Sequence, residues 1–547
     1  MSAFRRIVWV LIALAAAAGC QPARVERPAP TPAPAATDTA PTAPSHDAGW
    51  WRDRVFYEIF VRSFADSSTG PLANDGVGDF QGLIERLDYL NDGDPATTTD
   101  LGITGIWLMP ISPSPSYHGY DVTDYYDVNP QYGTRDDFRR FLAECHNRGI
   151  RVIVDLVLNH SSSRHQQFKG ALRDDPAYRD WYIFVPPDRV PQVRGPWDQV
   201  VWHEANGKHY YGIFWSGMPD LNYRTPAVTA EAYRIAEFWL REMGADGFRL
   251  DAIRHLIEDG DVMSDTPETV AWLQAFQSHV RSARPDVLTV GEVWAGTEIV
   301  SDYIHAGALD LAFEFDLAAA IIDAAKSGTR DKLAYSIDRV AASYPDGRYA
   351  TMITNHDQNR VASELQEDPA RMKLAATLLL TLPGVPFIYY GEEIGQIGAK
   401  PDEMIRNPMP WTGGTHGGFT SAAQPWEPLQ PGHELRNVVA QDADASSLLN
   451  HYRRLVRLRQ SEPVLSRGGV RNLETGRSDV IAWERALHGR RLTMIANLSG
   501  AEIQDYRLPG TADARFTAEL IGGVQPGADG SVTLTPRSAY LFVRAGQ

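Results

Sequence analysis

The sequence predicts an α/β protein: a (β/α)8 TIM barrel with a subdomain inserted after the third strand and a C-terminal antiparallel β-sandwich. Three observations lead to this prediction. Short apolar runs alternate with amphipathic helical stretches, as in parallel sheets covered on both faces. A segment rich in Trp, Tyr, Pro and Asp interrupts that alternation, and short alternating strand patterns fill the last part of the chain. We therefore expect the barrel at 48–160 and 225–460, the subdomain at 161–224 and the sandwich at 461–547.

The individual elements follow from the same patterns. The eight barrel-strand candidates are 55–64, 105–110, 151–160, 247–251, 288–294, 311–316, 349–357 and 386–392. Amphipathic helices are predicted between them, for example at 134–148, 229–244, 267–284 and 369–381, with another at 446–460. Strands of the C-terminal domain are predicted at 479–485, 491–498, 514–521 and 531–544.

Size and charge restrict the class of protein. A chain of 547 residues exceeds the size of a single small core, which agrees with several domains. The net charge of −17 argues against nucleic acid, because a phosphate backbone requires basic patches. Neutral polymers remain compatible with this charge.

The N-terminus has the pattern of an export signal. Arg5 and Arg6 precede an apolar run at 7–18, which is too short to span a membrane. The run ends in Ala17-Ala18-Gly19-Cys20, which resembles a bacterial lipobox and predicts a signal peptide at 1–20 with a lipidated Cys20. The alternative is an ordinary cleavage site near Ala18.

The segment that follows predicts the location of the mature protein. Residues 21–47 are rich in Pro, Ala and Thr and are expected to form an extended tether. Gln21 after Cys20 favours an anchor in the outer membrane, facing the periplasm or the cell surface, with no other membrane contact. Since Cys145 is the only other cysteine, no disulfide is expected, and the helical pattern around it predicts a buried thiol.

Polar residues cluster where the predicted barrel strands end. These segments are Asp155-Leu-Val-Leu-Asn159-His160, Gly247-Phe-Arg249-Leu-Asp251, Gly291-Glu292-Val-Trp294 and Thr354-Asn355-His356-Asp357. The carboxyl ends of barrel strands meet on one face, so three carboxylates converge there from strands four, five and seven. Buried charges are costly unless they are used, which indicates a catalytic site.

Chemical roles follow from residue type and position. Arg249 and Asp251 are two apart on a strand and point to the same side, so the arginine is expected to keep Asp251 ionised as a nucleophile. Glu292 is expected to be the general acid. A spacing of about 5–5.5 Å between these two carboxyls predicts a covalent intermediate and a retained anomeric configuration. Asp357 is suited to stabilising a cationic transition state, and His160 and His356 to hydrogen-bonding sugar hydroxyls. Arg249 is also expected among the substrate-binding residues.

These four segments resemble the four signature regions of the α-amylase family, family 13 of the glycoside hydrolases. The resemblance implies the same three roles for Asp251, Glu292 and Asp357. Met218-Pro-Asp-Leu-Asn222 resembles the fifth family region, in a form intermediate between oligo-1,6-glucosidases and neopullulanases.

Further family segments imply substrate contacts. Tyr117-His118-Gly-Tyr120-Asp121 implies that Tyr120 stacks under the sugar at the cleavage site and that His118 contacts a hydroxyl. Exo-acting α-glucosidases carry an Asp where Tyr117 stands in this sequence. The absence of that Asp favours internal cleavage of the chain. Arg254 and His255 resemble the Lys-His pair of α-amylases that contacts the leaving-side sugar, with Arg in place of Lys.

A loop after the first strand resembles the calcium loop of many relatives. The candidate ligands are Asp66, Asn74, Asp75, Val77 and Asp79. Oxygen ligands at alternate positions with intervening glycines suit a structural calcium ion. The alternative is a plain solvated turn.

The function predicted from these residues is endo-acting hydrolysis of α-1,4-glucans such as starch and maltooligosaccharides. A cyclomaltodextrinase or neopullulanase-like hydrolase and a 4-α-glucanotransferase remain as alternatives, since they share the covalent intermediate. A catalytically dead glucan-binding scaffold is disfavoured because all three carboxylates are present.

Overall fold

Eight parallel strands form the barrel in the computed structural model, which describes residues 49–344, 347–509, 516–523, 527 and 531–544. The barrel strands are, in order, Phe56–Ile59, Gly105–Leu108, Arg151–Leu156, Gly247–Leu250, Leu288–Gly291, Leu311–Ala312, Ala350–Thr351 and Val385–Tyr389. Neighbours in sequence pair side by side, the first strand pairs with the eighth, and a parallel bridge between Phe313 and Ala350 joins the sixth strand to the seventh. The predicted TIM barrel is confirmed.

Large apolar side chains fill the barrel interior. Phe56, Trp107, Ile153, Phe313 and Phe387 are all at most 2% exposed and belong to one cluster. Strand residues that point inward interdigitate in this way because a barrel of eight strands has room only for side chains.

Helices surround the barrel and connect its strands. They are Val61–Phe64, Phe80–Glu85, Leu87–Leu90, Arg135–Asn147, Pro226–Glu237, Pro267–Ala283, Thr297–His305, Phe315–Ser327, Asp331–Ser343, Val361–Glu364, Pro369–Thr381, Asp402–Ile405, Val438–Asp442, Leu448–Ser461 and Pro463–Arg467. Thr134 caps the fourth of these through a capping box with Asp137. Cys145 lies on the same helix as a buried free thiol, as predicted.

Several barrel strands are shorter than predicted. The seventh covers only Ala350–Thr351 of the predicted 349–357, and the sixth only Leu311–Ala312 of 311–316. Most residues beyond each short strand lie outside the regular strand but stay buried. Their apolar pattern continues because they remain buried, which is why the pattern overestimates the strand.

The segment after the third strand forms a small subdomain. It contains the helix Gln166–Leu172 and an antiparallel sheet of Phe184–Val185, Lys208–Tyr211 and Trp202–Ala205. Val201, Tyr211 and Ile213 form its own apolar cluster. A bridge between His160 and Asp220 joins it to the barrel mouth, and one between Tyr182 and Leu221 lies within the subdomain.

The C-terminal part folds as two antiparallel sheets over a shared apolar cluster. Five strands form one sheet, Gly469–Leu473, Val480–Leu487, Arg490–Asn497, Ser538–Arg544 and Phe516–Ile521, and Ile503–Tyr506 pairs with Val532–Leu534 in the other. The predicted single strand 531–544 is therefore wrong. It is two strands in different sheets, since the chain turns at Arg537 with a φ of 47°.

The N-terminal predictions fall outside the described residues. The signal peptide at 1–20, the lipidated Cys20 and the tether at 21–47 all lie there. Of the helices that the structure describes, none combines the length and apolar character needed to cross a membrane.

Candidate active site

A cavity of about 580 Å³ opens at the carboxyl ends of the barrel strands, under the subdomain. The cavity is lined by His118, Tyr120, His160, Trp197, Phe214, Trp215, Met218, Asp251, Ala252, Arg254, His255, Glu292, Trp294, Asp357, Lys400, Asp402 and Arg406. Asp251, Glu292 and Asp357, which follow the fourth, fifth and seventh strands, therefore line the same cavity, as predicted from the barrel topology.

Arg249 connects the carboxylates behind this cavity. Its Nη1 lies 2.6 Å from Asp251 Oδ1 and 2.9 Å from both carboxylate oxygens of Asp155, and its Nη2 lies 2.7 Å from Glu292 Oε2. Oxygens bound to the two terminal nitrogens of one planar guanidinium lie side by side. This arrangement favours the spacing of about 5 Å found in retaining glycosidases over the spacing of about 6.5–9.5 Å in inverting ones.

The backbone after Asp251 also serves Glu292. Ala252 adopts a left-handed conformation with a φ of 48°, which costs energy for a residue with a side chain. In this conformation its N–H donates to Glu292 Oε2 at 3.0 Å. The strained residue thus helps to fix the position of the second carboxylate relative to the first.

Burial dominates the electrostatics of the carboxylates that share Arg249. It raises the pKa of Glu292 and of Asp251, while Arg249 lowers both and Asp357 raises both. Burial raises the pKa of Asp155 to about 7. Arg249 thus opposes the effect of burial on Asp251, but one guanidinium is shared among three carboxylates and the pKa of Asp251 stays above its usual value. The expected ionisation of Asp251 remains a prediction. The group as a whole retains a proton more readily than isolated carboxyls do.

Asp357 has the opposite character. Burial raises its pKa, but His356, Arg406 and Arg249 outweigh burial and hold the pKa well below its usual range. His356 Nε2 lies 3.2 Å from Oδ2, and Arg406 Nη2 lies 2.8 Å from Oδ1. Asp357 is thus a permanent negative charge facing the cavity.

Tyr120, His118 and His160 also line the cavity. The Tyr120 ring stacks between His356 and His118, with centroids 5.6 and 6.1 Å away, and its hydroxyl lies 3.1 Å from Asp155 Oδ2. His160 is 1% exposed, and its ring nitrogens approach Asn159 Oδ1 and the Tyr120 carbonyl oxygen. Burial lowers the pKa of His160 to about 4, so it is neutral.

Two predicted sugar contacts lie one layer deeper than expected. Arg249 is 1% exposed and His356 is fully buried, and neither lines the cavity. His356 does not reach the cavity because both of its ring nitrogens are engaged by protein groups. Nδ1 faces Glu58, and Nε2 faces Tyr120 and Asp357. The structure places both residues behind the groups that touch the cavity, so we correct the prediction of direct substrate contact.

The side of the cavity lined by Arg254 and His255 is aromatic. A second cavity of about 270 Å³ shares Trp197, Arg254, His255 and Trp294 with the first. Trp197 is 60% exposed and stacks on Phe214, with centroids 5.8 Å apart. Arg254 is held by an ion pair with Asp265 and by the Trp294 carbonyl oxygen, and His255 Nδ1 lies 2.7 Å from the Met263 carbonyl oxygen.

Several site residues escaped the sequence analysis. Arg406 lies on the long segment after the eighth strand, Trp197 on the subdomain, and Glu58 within the first strand. Only Glu58 carried a signal, since a glutamate in the apolar run Val55–Ile59 requires a buried partner. Nothing local marks Arg406 or Trp197, because their partners are distant in sequence.

Four of the five candidate calcium ligands accept hydrogen bonds through their side-chain oxygens. Asp66 accepts backbone hydrogen bonds from Asn74 and Gly76, at 3.0 and 2.8 Å, and a hydrogen bond from the Thr420 hydroxyl. Asp79 accepts from Ser67 and caps the helix Phe80–Glu85, Asp75 accepts from Val77 N–H, and the Asn74 amide oxygen accepts from Ser421. These oxygens are therefore satisfied by donors of the protein itself, and calcium at this loop stays a prediction. Among the described residues, no three His, Cys, Asp or Glu side chains are grouped as a metal site.

Comparison with known proteins gives consistent matches. A family described as "Alpha amylase, catalytic domain" matches residues 58–468. "Alpha-amylase 3" of Dictyoglomus thermophilum is 38% identical over 462 residues, covering 83% of this chain and 86% of that protein. The "4-alpha-glucanotransferase" of Thermotoga neapolitana is 33% identical over 464 residues, covering 82% of this chain and 96% of that protein. The crystal structure of the alpha-amylase from H. orenii has a TM-score of 0.79 at 39% identity, covering 90% of this chain and 99% of that chain.

Proposed function

Because the chain belongs to the alpha-amylase family and is a glycoside hydrolase, we propose that it cleaves α-1,4-glucans internally with retention of the anomeric configuration. The observation that carries this proposal is the bridge that Arg249 makes between Asp251 and Glu292, at 2.6 and 2.7 Å. The Arg249 guanidinium thus holds the proposed nucleophile Asp251 and the proposed acid Glu292 next to each other at the edge of one cavity.

The proposed reaction has two steps. Glu292 donates its proton to the glycosidic oxygen while the Asp251 carboxylate attacks the anomeric carbon, so the carbon–oxygen bond to the leaving chain breaks and an ester to Asp251 forms. Glu292, now ionised, takes a proton from water, and the water oxygen displaces Asp251 from the same carbon. Two inversions give net retention.

Electrostatics support the roles of Glu292 and Asp357. Burial raises the pKa of Glu292, which favours the protonated state that an acid needs. Asp357 keeps its charge beside the anomeric carbon, where positive charge develops in the transition state. His118, Tyr120 and His160 present a stacking face and polar edges to the sugar at the cleavage site.

The leaving side supports a chain substrate. Arg254 and His255 line both cavities, and Trp197 and Trp294, which are 60% and 47% exposed, widen the site beyond a single sugar. Large exposed aromatic rings suit the apolar faces of successive glucosyl units. The same wall can hold an acceptor sugar in place of water, so 4-α-glucanotransfer is the second candidate function.

We also propose export and anchoring by a lipid on Cys20, with the tether at 21–47 between the anchor and the barrel. The pattern of Arg5, Arg6, the apolar run and the small residues before Cys20 supports it. Mass spectrometry of the mature N-terminus tests this, since a lipidated Cys20 and a free N-terminus near residue 19 differ in mass and in solubility.

The test of the proposed activity is the product profile from soluble starch, with the anomer followed by proton NMR in the first minutes. We expect α-anomeric maltooligosaccharides and a rapid fall in iodine staining, as internal cleavage requires. β-Anomeric products would contradict the mechanism, and release of glucose alone would contradict internal cleavage. Growth of longer chains from maltotriose would establish the transferase alternative.

A further inference from the structure

Glu58 is a buried carboxylate that the proposed mechanism does not use. It lies on the first barrel strand, is 2% exposed and does not line the cavity. Its Oε1 lies 2.5 Å from Nδ1 of His356, which is itself fully buried. An unpaired carboxylate at this depth would be strongly destabilising, so the pair with His356 accounts for its presence.

The other side of His356 faces the reacting groups. Its Nε2 lies 2.7 Å from the Tyr120 hydroxyl and 3.2 Å from Asp357 Oδ2. The Tyr120 hydroxyl can donate to Asp155 Oδ2, 3.1 Å away, and then accepts from His356. An imidazole ring with carboxylates at both nitrogens satisfies both only as the imidazolium, which donates from each.

From this chain of contacts we infer that Glu58 is a positioning residue for the proposed reaction. It holds His356 as an imidazolium and thereby fixes Asp357 and Tyr120 against the sugar. The inference rests on the proposed function of the same site. It predicts that a neutral side chain at position 58 changes the reaction without changing any group that touches substrate.

The charges around His356 agree with this role. The groups that face it are Glu58 from the first strand, Tyr120 from the loop after the second, Asp155 from the third, Asp251 after the fourth, Asp357 after the seventh, and Arg406 after the eighth, the last through the His356 carbonyl oxygen. Burial lowers the pKa of His356, but Asp357 and Glu58 outweigh burial and raise it to about 9. Of these acids, Glu58 is the one at Nδ1.

The decisive experiment is the pH dependence of kcat/KM for Glu58→Gln. α-Maltosyl fluoride is the substrate, because fluoride leaves without a proton and the alkaline limb then does not report Glu292. We expect the alkaline limb of the wild-type profile to lie near pH 9. In Glu58→Gln it should shift to a pH lower by about 1 to 3 units, as the loss of one adjacent carboxylate predicts. The matched control is Glu393→Gln, another buried glutamate, which accepts from Tyr57 and Tyr89 and does not reach the cavity. Its limb is expected to stay in place.

A double-mutant cycle separates positioning from a general structural effect. In a His356→Asn background, Glu58→Gln should cause little further loss in kcat/KM, since both changes remove the same link. Carbon NMR of 13C-labelled histidine in the wild-type protein, assigned with His356→Asn, gives a readout that does not depend on the folding of Glu58→Gln. His356 should remain an imidazolium up to about pH 9.

Three results would overturn the inference: an unmoved limb in Glu58→Gln, additive losses in the cycle, or a His356 that titrates below pH 7. Starch hydrolysis by the wild type is measured first. A wild type that fails to hydrolyse starch refutes the proposed function, whereas a fully active wild type with an unmoved limb in the variant refutes only the role of Glu58.

Discussion

Arg406 and Asp357 form an ion pair across 49 residues of chain, with Nη2 2.8 Å from Oδ1. The same guanidinium donates from Nε to the His356 carbonyl oxygen at 2.9 Å. Arg406 is 3% exposed and follows the short helix Asp402–Ile405 after the eighth strand. Two bonds from one rigid group thus fix both the position and the charge of the third carboxylate.

Replacing Arg406 with Lys therefore tests geometry at constant charge. A lysine cannot reproduce both bonds, so we expect kcat/KM on maltooligosaccharides to fall about 10- to 100-fold, as the loss of a charge-assisted hydrogen bond predicts. The control is Arg339→Lys, whose partner Glu298 lies on the surface with 67% of its side chain exposed. Equal activities of the two variants would show that the second bond of Arg406 is not needed.

Replacing Glu292 with Gln tests the acid. We expect kcat/KM on starch to fall about 10²- to 10⁴-fold, the usual contribution of a general acid. The loss on α-maltosyl fluoride should be much smaller, because that leaving group needs no proton. Glu298→Gln, an exposed glutamate outside the cavity, serves as the control. Equal losses on both substrates would contradict the assignment of Glu292 as acid.

The sequence was sufficient to predict the barrel and the three carboxylates of the site, because both depend on local patterns. Asp251, Glu292 and Asp357 each follow an apolar run, and the barrel topology alone brings the ends of such runs together. No local pattern indicates how deeply a side chain is buried below the cavity surface. His356 was predicted on the cavity wall and is buried, because its partner Glu58 comes from a strand 298 residues away.

The sequence also does not show how many partners share one charged side chain. The pair Arg249 and Asp251 predicts an ionised aspartate, whereas the structure adds Asp155 and Glu292 to the same guanidinium and the pKa of Asp251 is raised. Competition among partners depends on the fold, so no spacing in the sequence contains it. Arg406 and Trp197 were missed for a similar reason, since each is defined by partners from other segments.

Calcium at the 66–79 loop remains a prediction of the sequence, and the hydrogen bonds of the loop lead to a different expectation. The backbone N–H groups of Asn74 and Gly76 hold Asp66 in place without an ion. We therefore expect dialysis against EDTA to leave the Tm unchanged within error and added millimolar calcium not to raise it. A calcium-dependent rise in Tm that Asp66→Asn abolishes would establish the site that the sequence predicts.

Stability should fall at alkaline pH because of His356. Its pKa is raised to about 9 in the folded protein, against about 6.5 in an unfolded chain. The stabilisation is therefore fully present below pH 6.5 and is lost as the pH rises through 9, to an extent of about 3 kcal/mol at most. Urea unfolding at pH 6 and pH 9.5 measures it, and His356→Asn should flatten the difference. An unchanged difference in that variant would assign the pH dependence to another group.

Trp197 offers the most direct test of the leaving side, because it lines both cavities and is 60% exposed. In Trp197→Ala we expect kcat/KM on maltoheptaose to fall about 2- to 10-fold, the loss of one aromatic stacking contact. The same variant should be unaffected on α-maltosyl fluoride, which has no sugar on the leaving side. Tyr335→Ala provides a matched exposed aromatic, 62% exposed on the helix Asp331–Ser343 and outside both cavities. A comparable loss on the fluoride would show that Trp197 acts on the cleavage site itself and not on the leaving chain.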